Sequence, residues 1–311
     1  VEWKLPQKDD EYGLNKKAID DFYSNDGSLI ITVDCGISNF ESIQYANYLG
    51  IDVIVTDHHN PQENLPDAVA VVNPKIENAN YPFYDISGAA VAYKLVSALR
   101  FAKSEFYKAD ICLLDLIEDK ENNCIYIECL KTRNLTKRKF HTEKIIPGQT
   151  SISETKLPYF LSGQYIYVWD KNRISTLLKQ LFGAGIEFNL FDLKNAVGSI
   201  MPKLSTFSTS DILEHSQIAK YLKEEKNQIN ALFNIFVTYV QRKEKQLNND
   251  FIESENTDIQ LVALAALADI MPMKNENRLF VKNGLSLIKK NGPCHGLAEL
   301  TAKMRINPNT I

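Results

Sequence analysis

The pattern that most narrows the fold of this chain is a strand, a helix and a second strand packed between Ser28 and Val55. Ser28–Val33 (SLIITV) is apolar and β-branched, as a buried strand is. It ends at Asp34. Ser38 and Glu41 fit a capping box that opens a helix through about Leu49, and Gly50 closes it. Ile51–Val55 (IDVIV) is the second strand, and Asp57-His58-His59 follows it. A strand–helix–strand unit this short predicts a parallel pair with a right-handed crossover. Asp34 and Asp57 then lie just past the carboxyl ends of neighbouring strands, the edge at which open α/β sheets bind ligands.

The chemistry gathered there is unusual for its neighbourhood. Only five histidines occur in 311 residues, and two of them are adjacent here. Two carboxylates and two imidazoles brought together would repel and desolvate one another without a cation between them. Oxygen ligands with imidazole suit Mn²⁺ or Mg²⁺. The plain alternative is a chance cluster in a strand-to-helix turn. A third acidic residue, Asp269, sits near the end of an apolar helix expected from about Ile259 to Ile270, with Asp258 as its N-cap and Met271-Pro272 ending it. A carboxylate in so apolar a segment is costly unless paired or metal-bound; the alternative is an exposed last-turn aspartate.

These residues fall into stretches that resemble the DHH phosphoesterase superfamily, specifically its RecJ-type single-strand-specific exonucleases. LPQKDDEYGLN is similar to the family's P-x-R-x-x-x-G-Y-G-L stretch, with Lys8 where Arg is usual. TVDCGIS resembles the motif that carries a metal-ligand aspartate, here Asp34. VTDHHNP resembles the motif with Asp57, His58 and His59. VVNPK and ISGAAVAYKL look like the segments that follow, DIQLVALAALADIMPM like the motif that ends in the last metal ligand, Asp269, and ENRLFVKNGL like its continuation. The resemblance implies a parallel α/β core with flanking helices, interrupted by an inserted α/β module and long helices. It implies a two-metal phosphodiester hydrolysis, with Mn²⁺ or Mg²⁺ held by Asp34, Asp57, His58 and Asp269, and with His59 ligating metal or touching the phosphate. The substrate implied is single-stranded DNA, degraded from its 5′ end in cytoplasmic repair or recombination.

Two departures qualify this. The family's first motif, H-x-D-x-D-G, with two further metal-ligand aspartates, occurs nowhere in the sequence. The DHH-associated domain with its glycine-rich motif is also missing. The expectation is a trimmed fragment that binds metal weakly and is slow or inactive alone; a degenerate paralogue is the alternative. Two rival functions stay open: a replication or repair scaffold without activity, and a DHH enzyme for short oligonucleotides or cyclic dinucleotides.

The second departure is an insertion, which sets the expected organisation: 1–101 as the first part of the core, 102–207 as an inserted α/β module, 208–257 as a helical connection, and 258–311 as the second part of the core. Strands are expected at Asp110–Leu116, Cys124–Leu130 and Tyr165–Val168, and helices at about 173–183 and 208–250. The insert weakly resembles a DnaQ-like, RNase H-like exonuclease domain. Where that family has D-x-E it carries Asp115-Leu116-Ile117, so it reads as catalytically dead or simply as a small α/β insertion. A basic run, Lys131, Arg133, Lys137, Arg138, Lys139 and Lys144, either neutralises phosphates in a salt-sensitive way or is a solvated hairpin. Tyr165, Tyr167 and Trp169 either stack bases or belong to a core. Cys112, Cys124, Cys129 and His141 match no common zinc spacing. Segment 217–249 reads as amphipathic helix, with Ile218, Tyr221, Leu222 and Phe236 among its apolar positions, and is a possible surface for a repair or replication protein.

Composition is that of an ordinary globular protein, 44% hydrophobic and 24% charged, with net charge −4. That balance argues against a dedicated basic DNA-binding domain but not against a nuclease, whose cations and local Lys or Arg handle phosphates. No apolar run is long enough to span a membrane, so no membrane partner is expected. Five widely spaced cysteines suggest a reducing compartment.

Overall fold

Helix α1 (Lys16–Ser24) starts the ordered core, its first turn capped by Asn15, whose side chain accepts from the Ala18 amide at 2.9 Å. Strand β1 (Leu29–Val33), helix α2 (Phe40–Tyr48) and strand β2 (Asp52–Thr56) follow, and β3 (Ala70–Val72) completes a three-stranded sheet in the order β1-β2-β3, all parallel. The computed structural model describes residues 1–6, 12–77, 79, 81–215, 227–247 and 249–305; Lys8, Ile218, Tyr221 and Leu222 lie outside that set. Ile19 of α1, Ile43 and Ala46 of α2, and Ile51, Val53 and Val55 pack into one apolar cluster against the sheet.

Helix α2 begins one residue later than the capping box implies. Asn39, not Ser38, is its N-cap, because the chain makes one more turn after the strand, with the Asn39 amide donating to Gly36 O at 3.0 Å. The Asn39 side chain does not cap the helix; it accepts from the Leu14 amide. Gly50 follows the helix with φ +76°, the left-handed conformation expected of a residue just past a helix end. After β3, helix α3 (Gly88–Phe101) begins at a serine: Ser87 is fully buried and its hydroxyl accepts from the Ala90 amide.

The chain then enters a second compact unit, Phe101–Asn249. Its strands are β4 (Ile111–Asp119), β5 (Cys124–Arg133), β6 (Thr136–Ile145), β7 (Tyr165–Val168) and β8 (Leu190–Asp192), and the helices are α4 (Leu157–Leu161), α5 (Lys171–Phe182), α6 (Leu193–Ile200), α7 (Thr209–His215) and α8 (Gln228–Leu247). The sheet order is β6-β5-β4-β7-β8; β5 is antiparallel to β4 and β6, whereas β4, β7 and β8 are parallel. Side chains alternate across the central strand. Cys112, Leu114 and Leu116 pack with Leu157, Ile174 and Leu178, while Ile111 and Leu113 pack with Val197, Ile212, Leu232 and Phe236. The sheet is therefore covered on both faces.

Two sequence expectations are revised here, and one open alternative is decided. Helices α7 and α8, expected as a connection from 208, supply one face of this unit's core, so the unit runs to Asn249. Strand β6 was not expected: its sequence, TKRKFHTEKI, lacks apolar alternation because it is an edge strand with mostly exposed residues. Tyr167 and Trp169 are core residues. Tyr167 stacks on Phe191 at 5.1 Å, and the indole N–H of buried Trp169 donates to Phe207 O at 2.7 Å; only Tyr165 of the three is well exposed.

The chain returns to the first unit, Val1–Arg100 with Asp250–Ile311, through α9 (Asn249–Ala268), α10 (Asn275–Asn291) and α11 (His295–Lys303). Asp258 is not an N-cap. The helix starts at Asn249, and the Asp258 carboxylate pairs with Arg100 at 3.0 Å. Ile86, Ala90 and Val91 pack on Ile259, Val262 and Phe280. Glu276 of α10 takes Lys94 at 2.8 Å and the Tyr81 hydroxyl at 2.7 Å, and buried Asn277 donates to Asp85 O and Pro272 O. These ties fix the turn after α9 to the segment that leads into α3.

Candidate metal centre

The parallel register sets Val33 opposite Thr56, so Asp34 and Asp57 leave the sheet side by side at its carboxyl edge. The Asp34 amide donates to Thr56 O and the Asp57 amide to Val72 O, each at 3.0 Å. Asp34 has φ +61°, left-handed backbone that a non-glycine residue adopts only when its surroundings hold it there. Its carboxylate lies against Gly88, the first residue of α3: a Cβ there would overlap the Asp34 side chain. Gly88 is thus the residue that lets the helix approach the carboxylate.

Asp57 is 1% exposed and saturated with donors. One oxygen accepts from the His58 amide (2.7 Å), the His59 amide (3.1 Å) and His59 Nδ1 (2.7 Å); the other accepts from the Ile37 amide at 3.0 Å. Burial pushes its carboxyl up, but the amides of Ile37 and His59 and the His59 ring outweigh that and hold it below the ordinary carboxylate range. Asp57 clasps the loop after β1 to the turn after β2.

Each imidazole is aimed by a neighbour that can only accept. His58 Nδ1 lies 2.8 Å from Ile86 O, so it carries the proton, and Nε2 then faces Asp34 Oδ1 at 3.1 Å. His59 Nδ1 donates to Asp57, which turns its Nε2 away from the anchor; half of the His59 side chain is exposed. Orientation of a ligating histidine through its second nitrogen is the usual outer-shell arrangement of metal sites. Among the described residues, Asp34, His58 and His59 are the group of three whose ligand atoms all lie within 4.8 Å of one another. Asp57 does not belong to that group, since its oxygens are directed at backbone amides and His59.

Asp269 lies just past the end of α9, exposed, and is followed by Ile270 with φ +53°, a second strained residue and a β-branched one. Its charge reaches Asp34. Burial raises the Asp34 carboxyl above its usual range and Asp269 adds to that, while His58 pulls the other way. Tyr12 closes the site from another side: its hydroxyl donates to Asp34 O at 2.7 Å and its ring meets the His59 ring edge-on at 6.0 Å. Burial, then the charge of Asp34, pushes the Tyr12 phenol up to about 12, so it stays a donor. Tyr12 and Gly88 sit in quoted motif stretches but carry no chemical signal of their own role; only contact reveals it.

The arrangement fits a divalent cation on its own geometry. With Nδ1 of His58 committed to Ile86, neutral His58 points a lone pair at a carboxylate oxygen. Two acceptors 3.1 Å apart need a proton or a cation between them. The other sequence candidates lie elsewhere. Lys131, Arg133, Lys137, Arg138, Lys139 and Lys144 lie on the β5–β6 ribbon, and they do not form one stripe. Lys131 and Lys139 sit over Phe160 at 4.7 and 6.0 Å, Lys137 over Phe233 at 5.3 Å, and Arg133 is 3.7 Å from Asp110. Cys129 and His141 are cross-strand partners in that ribbon, yet with Cys112 and Cys124 they make no cluster of ligand atoms among the described residues.

Comparison with known proteins matches this region. The model of the DHH family, N-terminal domain, matches residues 4–118. The single-stranded-DNA-specific exonuclease RecJ of Escherichia coli is 41% identical over 101 residues, 32% of this chain and 18% of the relative. RecJ of Bacillus subtilis is 44% identical over 100 residues, 32% of this chain and 13% of the relative. RecJ of Thermus thermophilus is 40% identical over 73 residues, 23% of this chain and 10% of the relative. The chain therefore spans under a fifth of the length of the curated relatives it matches. The matched stretch contains Asp34, Asp57, His58, His59 and Gly88, and residues 4–118 match the DHH family, N-terminal domain, with similarity to RecJ over about a hundred of them.

Proposed function

We propose that this chain carries metal-site residues of a phosphodiesterase that hydrolyses single-stranded DNA from its 5′ end in repair or recombination, with Mn²⁺ or Mg²⁺ as the cation. The observation that carries this reading is the facing pair of acceptors, His58 Nε2 and Asp34 Oδ1, at 3.1 Å on the carboxyl edge of a parallel sheet. A bound divalent ion would activate water and stabilise charge on the scissile phosphate. The residues of the chain do the rest. Asp34 and His58 would hold the ion, with Asp269, whose charge acts on Asp34, as a further carboxylate. Ile86 O keeps His58 in the ligating tautomer, and Asp57 fixes His59 so that its outward Nε2 meets metal or phosphate. Tyr12 holds the Asp34 backbone in its strained conformation.

The test is cleavage of a 5′-labelled single strand by the full-length protein with Mn²⁺, beside Asp57→Ala and Asp34→Ala. Mononucleotide release that both substitutions abolish supports the reading. Unchanged turnover in either variant overturns it. Faster turnover of a dinucleotide than of a long strand would shift the substrate to short oligonucleotides, and DNA binding without any cleavage would favour a scaffold.

A further inference from the structure

The second unit has a polar cleft of about 820 Å³ lined by the carboxyl ends of β4 and β7 and the first turns of α5, α6 and α7. β4 is flanked there by antiparallel β5 on one side and parallel β7 on the other. Beside it, Asp115 is 1% exposed, yet one of its two oxygens, Oδ2, has no hydrogen-bond partner. The neighbouring Thr209 helps hold the Asp115 carboxyl down, while its hydroxyl donates to Gln228 at 2.9 Å. The other oxygen of Asp115 accepts from the Leu116 amide at 3.0 Å and lies 3.4 Å from Arg173 Nη1. Arg173 stands in the first turn of α5 and lines the cleft. Its Nη2 donates to Leu116 O at 2.7 Å and lies 4.0 Å from the Glu118 carboxylate.

Three oxygens from one short stretch of strand thus converge on a single guanidinium: a buried carboxylate, a main-chain carbonyl and a second carboxylate. That is the ligand set of a hard divalent cation, not of an arginine, whose planar fork prefers to take both oxygens of one carboxylate. The orphaned Oδ2 shows acceptor capacity that the guanidinium leaves unused. We infer that Arg173 is a built-in cation, occupying the place of a divalent ion between Asp115, Leu116 O and Glu118 and keeping the cleft of the second unit free of metal. This inference is independent of the function proposed for the first unit, and either can fail alone.

The sequence holds two tryptophans, Trp3 and Trp169, and Trp169 lines the cleft. The probe is Tb³⁺, an oxygen-seeking cation whose luminescence is sensitised by a nearby indole. It is added to the full chain carrying Trp3→Phe, so that tryptophan-excited emission reports the cleft. With Arg173 present, emission stays low. Arg173→Ala is expected to gain saturable emission at least tenfold above that level, displaced by Mg²⁺ or Mn²⁺ and lost again on adding Asp115→Asn. A folded Arg173→Ala without gain, a gain that survives Asp115→Asn, or strong emission with Arg173 intact overturns the inference. If Arg173→Ala does not fold, refolding is repeated with Mg²⁺ and with Arg173→Gln. Recovery of the alanine variant by Mg²⁺ supports a cation role, and recovery by glutamine alone overturns it.

Discussion

Asp34 follows the last residue of β1 and Asp115 sits in the middle of β4, and the two units treat these aspartates oppositely. Asp34 is half-exposed and faces Nε2 of a histidine whose Nδ1 is committed to Ile86 O, so a proton or a cation belongs between the two. Asp115 is buried and faces a guanidinium, so its counter-charge is covalently supplied. The lesson is that an acidic residue on a sheet does not by itself make a metal site. What decides is whether the neighbour donates or accepts, and that is set by where the neighbour's other polar atom is engaged. The supporting sheets differ in the same sense. The five-stranded sheet is covered on both faces, while Leu29, Ile31 and Val33 of β1 leave an apolar row half exposed.

The largest expected effect breaks the first site by sterics alone. Gly88→Ala places a methyl group on the Asp34 carboxylate and should weaken Mn²⁺ binding of the first unit by 100-fold or more, read by calorimetric titration of the full chain. Unchanged affinity would mean that Asp34 is not a ligand. Next is the core of the second unit. Phe236→Ala, in a fully buried position, should cost about 3–5 kcal/mol in denaturant unfolding. The same variant should leave metal affinity at the first site unchanged.

A third effect sharpens the contrast through pH. Burial raises the Asp115 carboxyl to about 6, against the pull of Arg173. A carboxyl raised above its unfolded value stabilises the fold below about pH 4 and loses that contribution as pH rises through about 6. Asp115→Asn removes the titration. Its stability relative to the parent should therefore rise between pH 4 and pH 7, by on the order of 2–3 kcal/mol in chemical unfolding curves. A flat difference would mean that Arg173 fully compensates the charge. The smallest effect is Tyr12→Phe. Loss of one hydrogen bond to Asp34 O should cost about 0.5–1.5 kcal/mol and loosen metal binding several-fold without abolishing it.

Much of the first unit was legible in the residues because its information is local. Apolar, β-branched runs mark β1 and β2, Gly50 ends α2, and the crossover rule then places Asp34 beside Asp57 without further knowledge. The same local rules named β4, β5, β7 and α5, since each has its own apolar period. They missed β6, whose edge position removes the pattern, and they misread α7 and α8 as a connection, because an amphipathic stripe says that a face is covered but not by what. Asp258 had the residue type of a cap, yet Arg100, far away in sequence, is what it serves.

The sequence by itself determined which residue types arrive at the sheet edge and in what order. Only the tertiary structure decided what each one does there. Asp57 reads as a ligand in sequence and is an anchor in space, because the amides of Ile37, His58 and His59 reach its oxygens first. Asp34 becomes the exposed acceptor because its backbone is held in a strained turn and Gly88 leaves room beside it. Hydrogen-bond partners and steric room are properties of neighbours distant along the chain, so no local pattern encodes them.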